Sequence, residues 1–174
     1  MGIQFETDYN METLTAMAKG LRKTVRKKRS RRVHIFAAVV LILGLLTILA
    51  TTAGGEPLGA SGVVTLLAML VVILVSLFED KLNAWFARKR LLPGTEHAVA
   101  TFEEDGYVSA TGVTESRFSY AQIVAVAETE RYFVFALSSH HTQAYDKRNI
   151  RGGSVEDFRA FIAEKTGKPI ANIK

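Results

Sequence analysis

The chain holds few side chains whose types and spacing could do chemistry. His140 and His141 directly follow Ser138 and Ser139, which could indicate a metal site or a nucleophile with its base. Neighbouring residues on a strand point to opposite faces, so two adjacent imidazoles are poorly placed for one metal ion. Cysteine is absent, so no thiol chemistry is expected. We interpret this segment as a polar hairpin turn, and we expect no catalytic residue, no metal and no cofactor.

Two further clusters could hold an ion. The carboxylates of residues 103–105 (Glu-Glu-Asp) are followed directly by Gly106, and a tight turn of this kind favours a solvated loop over a calcium site. Residues 151–153 (Arg-Gly-Gly) precede a predicted helix and could place an anion at its N-terminus, although the paired glycines more simply form a turn. The candidate interaction or anion site in this region consists of Lys147, Arg148 and Arg151.

The strongest charge pattern is a basic run before the first apolar segment. Residues 1–32 contain nine basic and three acidic side chains, whereas residues 95–174 contain nine basic and eleven acidic ones. Because the positive charge lies beside the apolar segment, we expect its partner to be anionic lipid head groups and not nucleic acid. The predicted lipid-facing residues are Arg22, Lys23, Arg26, Lys27, Lys28, Arg29, Arg31 and Arg32.

Two long apolar runs must position everything else. Residues 35–53 and 58–78 contain no charged side chain, and each run is long enough for a helix to cross a hydrocarbon core of about 30 Å. The link between them contains Gly54, Gly55 and Pro57, which is typical of a turn. A pair of buried helices in a soluble core would seldom lack a polar face over this length. The runs therefore predict two antiparallel membrane-spanning helices, the second continuing to about residue 91.

Basic residues flank the two runs on their outer sides only. Residues 22–32 precede the first run, Lys81, Arg88, Lys89 and Arg90 follow the second, and the link has no Lys or Arg. Segments rich in Lys and Arg stay on the cytoplasmic side of a membrane. We therefore predict a multi-pass protein of the cell inner (plasma) membrane with both termini in the cytoplasm.

The segment before the first run combines a strand with a helix. Gly2–Thr7 alternates apolar and polar residues, which predicts a short strand. Two interpretations of the following helix stay open: it lies on the inner leaflet as an amphipathic helix, or it packs its apolar stripe on the C-terminal domain while the basic run only sets the topology. The stripe recurs at helical spacing from Asn10 onward and consists of Met11, Leu14, Met17, Ala18 and Leu21.

After Pro93-Gly94 the pattern changes to short strands, and the chain ends in one helix. Ser154 and Asp157 predict a capping box for that helix, and its apolar stripe should close one end of the sheet. The stripe consists of Phe158, Phe161 and Ile162. The predicted strands are 97–102, 107–111, 115–119, 123–128, 132–137 and 143–146.

The fold class that follows is α+β, with three parts along the chain. Residues 1–32 form a strand and a basic amphipathic helix. Residues 33–92 form a two-span transmembrane helical hairpin. Residues 95–174 form a small antiparallel β-domain with a C-terminal helix on the cytoplasmic side.

Several pieces of a known family pattern recur in order along this chain. They are Asp8-Tyr9, the basic helix and hairpin, Phe102–Gly106, Tyr120 with Ile123, residues 132–137, Lys147-Arg148 and Ser154–Phe158. Together they resemble the YcxB-like family of small bacterial membrane proteins, whose C-terminal domain is similar to a pleckstrin-homology-like (PH-like) fold. At one point the chain departs from the pattern, because Tyr145-Asp146 stands where the family tends to have an aliphatic residue and a proline. The resemblance implies no reaction and no ligand.

Three functional hypotheses follow. In the first, a non-enzymatic membrane protein presents a cytoplasmic PH-like domain that binds a protein partner or a second copy of itself. In the second, the basic helix and the domain read anionic lipid head groups. In the third, the chain is an enzyme, which the absence of a recognisable catalytic constellation disfavours.

Overall fold

The computed structural model describes residues 2–55 and 57–173. Met1, Glu56 of the predicted link and Lys174 at the end of the predicted β-domain lie outside the described residues. The helices are α1 (Met11–Lys23), α2 (Lys27–Ala53), α3 (Ala60–Leu77), α4 (Glu79–Lys89) and α5 (Val155–Thr166). The strands are β1 (Ile3–Asp8), β2 (His97–Phe102), β3 (Tyr107–Thr111), β4 (Glu115–Phe118), β5 (Ala125–Glu128), β6 (Tyr132–Ala136), β7 (Thr142–Asp146), β8 (Ile150–Arg151) and β9 (Ile170–Asn172).

Helices α2 and α3 are the two predicted apolar helices. Each contains an 18-residue window, of mean hydropathy 2.7 in α2 and 2.6 in α3. No residue of α2 is buried within the protein, and in α3 Gly62 alone is buried. Both are therefore long and apolar enough to cross a membrane, by length and composition. The second helix is not continuous to residue 91 as predicted: α3 ends at Leu77, Phe78 leaves helical geometry (φ −104°, ψ 18°), and α4 ends at Lys89.

Two sheets form the β-domain, and together with the helices they confirm the α+β class. The first sheet has the order β4-β3-β2-β1-β8 and the second the order β7-β6-β5-β9. The predicted strands appear at β2 to β7, with ends displaced by at most two residues. Strand β9 corrects the prediction that α5 is the last element of the chain. The three residues of β9 follow α5 and pair in parallel with β5, from Val126↔Ile170 to Glu128↔Asn172. A three-residue strand is too short to leave a periodic signal.

The N-terminal strand lies inside the first sheet. Strand β1 pairs antiparallel with β2 along its whole length, from Ile3↔Phe102 to Asp8↔His97, and with β8 on its other side. It contributes Phe5, which is fully buried with its ring centroid 4.6 Å from that of Phe158. The sequence predicted the strand but not this pairing. The β-domain therefore takes part of its core from a segment that precedes the two apolar helices in the chain.

Helix α5 closes the core as predicted. The Ser154 hydroxyl accepts a hydrogen bond from the Asp157 amide, and the Asp157 carboxylate accepts one from the Ser154 amide, which completes the capping box. Phe158 and Ile162 are fully buried and Phe161 is half-buried. Gly167 ends the helix in the left-handed conformation (φ 61°) that glycine adopts at little cost.

Helix α1 covers the outer face of the second sheet. Leu14 and Leu21 are buried, and Gly20 lies so close to β6 that a Cβ there would be 2.7 Å from Val134 Cγ1. The Thr13 hydroxyl contacts Tyr132 Oη at 3.2 Å and donates to the Asp8 carbonyl at 2.6 Å. Of the two interpretations of this helix, the structure therefore favours packing on the C-terminal domain.

We expect the fold of the β-domain to depend on Phe5. Phe5→Ala in the full chain should cost about 3–5 kcal/mol, the usual loss for a buried phenylalanine, which is a large part of the stability of a small domain. The measurement is amide hydrogen exchange of strand β6 in the detergent-purified protein. Gln4→Ala, on the opposite face of the same strand, is the control. Equal exchange in both variants would contradict the placement of β1 in the core.

Candidate functional site: a basic juxtamembrane cleft

The predicted basic run is divided among three elements. Arg22 and Lys23 lie in the last turn of α1, where positive charge is favourable near the helix C-terminus. Arg26 occupies the N-cap position of α2. The other five lie in the first turns of α2, where the helix dipole disfavours cations and no acidic residue is present: Lys27, Lys28, Arg29, Arg31 and Arg32.

Arg22 holds α1 against α4. Its Nε lies 2.7 Å from Asp80 Oδ1 and its Nη2 lies 2.6 Å from Asp80 Oδ2, so the pair is bidentate. The hydrogen bond to Asp80 raises the pKa of Arg22, although burial opposes it. Because both side chains are mostly covered, Arg22 is a tether between two helices. Among the described residues, it is the one predicted lipid-facing side chain with a carboxylate partner.

Arg26 reaches from α2 to the turn between β6 and β7. Its Nε donates to the Ser139 carbonyl at 2.6 Å, and its Nη2 lies 2.9 Å from His140 Nδ1. In the same turn the Ser138 hydroxyl accepts hydrogen bonds from the amides of His140 and His141. The serine and histidine side chains thus shape a polar turn, in line with the interpretation from sequence.

These elements enclose a cleft of about 530 Å³ beside the apolar helices. We call it the juxtamembrane cleft; its walls are α1, the first turns of α2, α4 and the β6–β7 turn. Its charged and aromatic lining consists of Arg22, Arg26, Arg29, Glu79, Phe86, Arg90 and His140. Among the residues that the structure describes, no carboxylate lies within ion-pairing distance of Arg26, Arg29 or Arg90.

The α4 side of the cleft was missed by the sequence reasoning. Glu79, Asn83 and Phe86 recur at helical spacing, so they share one face of α4, and Arg90 follows at its C-cap. That periodicity was visible in the sequence, but these residues were not assigned to a site.

The second candidate site, around Lys147, Arg148 and Arg151, is not assembled into one cradle. Lys147 Nζ lies 2.7 Å from Glu128 Oε1, Arg148 Nη2 3.1 Å from Asp146 Oδ2, and Arg151 Nη2 3.0 Å from Glu6 Oε1. An anion binding there would have to compete with three carboxylates, so a shared anion site at these residues stays a prediction.

Glu128 is the centre of one of these networks. It also pairs with Arg159, and hydrogen bonding to Arg159 and then to Lys147 lowers the pKa of the Glu128 carboxyl although burial opposes the shift. Asp146 accepts hydrogen bonds from both Arg131 and Arg148. Asp146 therefore has a structural role, which is to hold two guanidinium groups at the end of β7.

Residues 102–162 match the family model described as YcxB-like protein. The resemblance to this family is confirmed. The YcxB-like segment runs from the last residue of β2 into α5, whereas β1, α1 and the two apolar helices lie outside the match. No curated protein and no solved structure gives a significant match to the chain.

Two pieces of the YcxB-like pattern meet in the structure. The Tyr120 hydroxyl lies 2.6 Å from the carbonyl oxygen of Glu103 and 3.0 Å from that of Gly106, so it fixes the acidic hairpin turn. Ile123 is fully buried in the core beneath it. Glu104, in the same turn, pairs with Lys165 of α5. These YcxB-like positions act in folding, and they place the acidic turn as a solvated loop braced by α5.

The effect of the Arg22–Asp80 ion pair on the packing of α1 against α4 should be distinguishable from the effect of a change in net charge. Arg22→Asp or Asp80→Arg alone leaves two like charges facing each other at a partly buried position. We expect each single variant to loosen α1 from α4 by about 1.5–3 kcal/mol, the usual range for hydrogen bonds to charged groups. The reciprocal double variant should recover much of the loss.

Hydrogen exchange of α1 in the purified full chain measures this effect, with Lys23→Asp as the control for a charge change at the neighbouring, exposed position. Equal protection of α1 in the two single variants and in the unaltered protein would show that the pair does not hold the helices together.

Proposed function

We propose that this chain is a non-enzymatic protein of the inner (plasma) membrane, with two spans and both termini in the cytoplasm, that presents a PH-like interaction domain at the membrane surface. The family match and the two apolar helices indicate a membrane protein. Basic residues on both outer flanks support the orientation. Two stacked sheets with α5 against the core support a PH-like module.

One observation carries the proposal: helix α1 joins the β-domain to α4, which continues the second span. Helix α1 is buried against β6 on one side and bound to α4 through Arg22 and Asp80 on the other. The domain is therefore held in one orientation relative to α3. A fixed orientation suits a module that meets its partner beside the membrane, since the binding face is already turned toward it and little orientational freedom is lost on binding.

The orientation can be tested by cysteine labelling, because the chain has no native cysteine. We expect Gly54→Cys to react with a membrane-impermeant maleimide in intact cells. Glu164→Cys, an exposed position on α5, should react only after the cells are permeabilised. The reverse labelling pattern would overturn the proposed topology.

The interaction role can be tested by site-specific photo-crosslinking of the full chain in membranes. Arg148 and Arg151 have side chains 61% and 67% exposed, and they belong to the predicted interaction site. We expect a photoreactive residue at either position to give a discrete protein adduct. The mass of the adduct distinguishes a heterologous partner from a second copy. The same photoreactive residue is also placed in β4, an edge strand of the first sheet. Absence of any protein adduct from β4 and from both arginine positions would contradict the protein-binding proposal.

Anionic lipid binding is a second candidate function, and a specific observation favours it. Five basic residues occupy the first turns of α2, where the helix dipole opposes them, and no acidic side chain in that turn balances them. Anionic head groups at the same level would offset this cost, at about 1 kcal/mol for each cation near the surface. This role is compatible with the first, because it uses a different face of the protein.

A further inference from the structure

We propose that the juxtamembrane cleft binds the head group of one acidic phospholipid from the adjoining leaflet, with Arg29 and Arg90 holding its phosphate. The proposal deepens the second candidate function and rests on the membrane placement of α2 and α3. It differs from a diffuse attraction of the basic run, because it assigns one lipid to one cleft formed by four elements.

The cleft lies at the height expected for head groups. The uncharged run of α2 begins at Ile35, and that of α3 ends at Phe78. Of the residues lining the cleft, Val33 precedes Ile35 by two positions and Glu79 follows Phe78 directly, each within about 3 Å along the helix axis. One end of the cleft therefore opens where the hydrocarbon core gives way to phosphates.

The charges that line the cleft select an anion. Arg22 is neutralised by Asp80, whereas the partners of Arg26 in the described part of the chain are the neutral carbonyl of Ser139 and the ring of His140. Arg29 and Arg90 have no carboxylate partner among the described residues. A guanidinium group binds a phosphate through two parallel hydrogen bonds, so arginines without a carboxylate partner that line one cleft suit a phosphate.

One carboxylate, Glu79, opposes these cations. Its Oε2 is buried without a hydrogen-bond partner and lies 3.8 Å from both Arg22 Nε and His34 Nε2. It lowers the positive charge of the cleft but does not neutralise it, since three arginines remain. Glu79 therefore offers a variant whose effect on anion binding has the opposite sign from that of the arginine variants.

Apolar side chains also line the cleft, and they favour a lipid over a free phosphate ion. Met17 and Leu21 of α1, Val33 of α2 and Phe86 of α4 line it. A volume of about 530 Å³ is within the range of about 300–1,000 Å³ found for small-molecule sites and is far larger than one phosphate group needs. Apolar walls beside a cationic end match a glycerol backbone and its first acyl carbons beside a phosphate.

The test uses the full chain in nanodiscs of phosphatidylcholine with increasing phosphatidylglycerol, followed by native mass spectrometry of retained lipid. We expect the unaltered protein to retain one phosphatidylglycerol. Arg29→Gln with Arg90→Gln should weaken retention at least tenfold, whereas Glu79→Gln should strengthen it. The matched control is Arg31→Gln with Arg88→Gln, which removes the same charge from the same helices outside the cleft and should change retention less than twofold.

Three results would overturn the proposal: equal loss in the cleft and control pairs, equal retention of phosphatidylcholine and phosphatidylglycerol, or full displacement of the lipid by millimolar inorganic phosphate, which would mark a free-anion site. Unchanged hydrogen exchange of β6 in each variant verifies the fold. A negative lipid-retention result would not change the outcome of the cysteine-labelling and crosslinking experiments. The lipid site in the cleft and the proposed function can therefore be contradicted independently.

Discussion

Strand β6 is apolar on both faces, and this requires cover on both faces. All five of its residues are buried. Phe133 and Phe135 point into the core beneath α5, while Tyr132 and Val134 point outward and would face water without α1. Burying such side chains is worth about 1.5–3 kcal/mol each, so the position of α1 is set by the sheet. The same helix thereby brings β1 to the edge of β2 and its own C-terminus to α4.

The role of the basic run follows from this packing. Since the apolar stripe of α1 is occupied by the β-domain, the helix cannot also bury that stripe in a bilayer. Its last turn supplies Arg22 to Asp80, which is a contact within the protein. The cations that follow lie on α2 beside the membrane, and those that face α4 line the cleft. One continuous run in the sequence is therefore divided into a tether and a set of charges available to an external anion.

Local signals in the sequence were sufficient for most of the secondary structure, with exceptions such as β9 and the break between α3 and α4, but not for its assembly. The capping box at Ser154, the stop at Gly167 and strands β2 and β3 depend on neighbouring residues, and all were predicted. The pairing of Phe5 with Ala100 joins residues 95 positions apart across the apolar hairpin, and no local pattern encodes it. One usable signal was the continuous apolar run of β6, which is typical of a strand covered on both faces. The cleft was missed for the same reason, because it exists only where four separate elements meet.

The two connections between the apolar helices and the β-domain converge on this cleft. The chain leaves α1 for α2 through Thr24–Arg26, and it leaves α4 for β2 through residues 90–96. Two short connections and a bidentate ion pair restrict the orientation of the β-domain relative to the apolar helices more than one linker would. Rotation about either connection alone would pull Arg22 away from Asp80. An occupant of the cleft would touch α2, α4 and the β6–β7 turn together. It would therefore tighten the same joint that sets the orientation of the domain, which makes the joint between membrane and β-domain the natural place for a ligand to influence both.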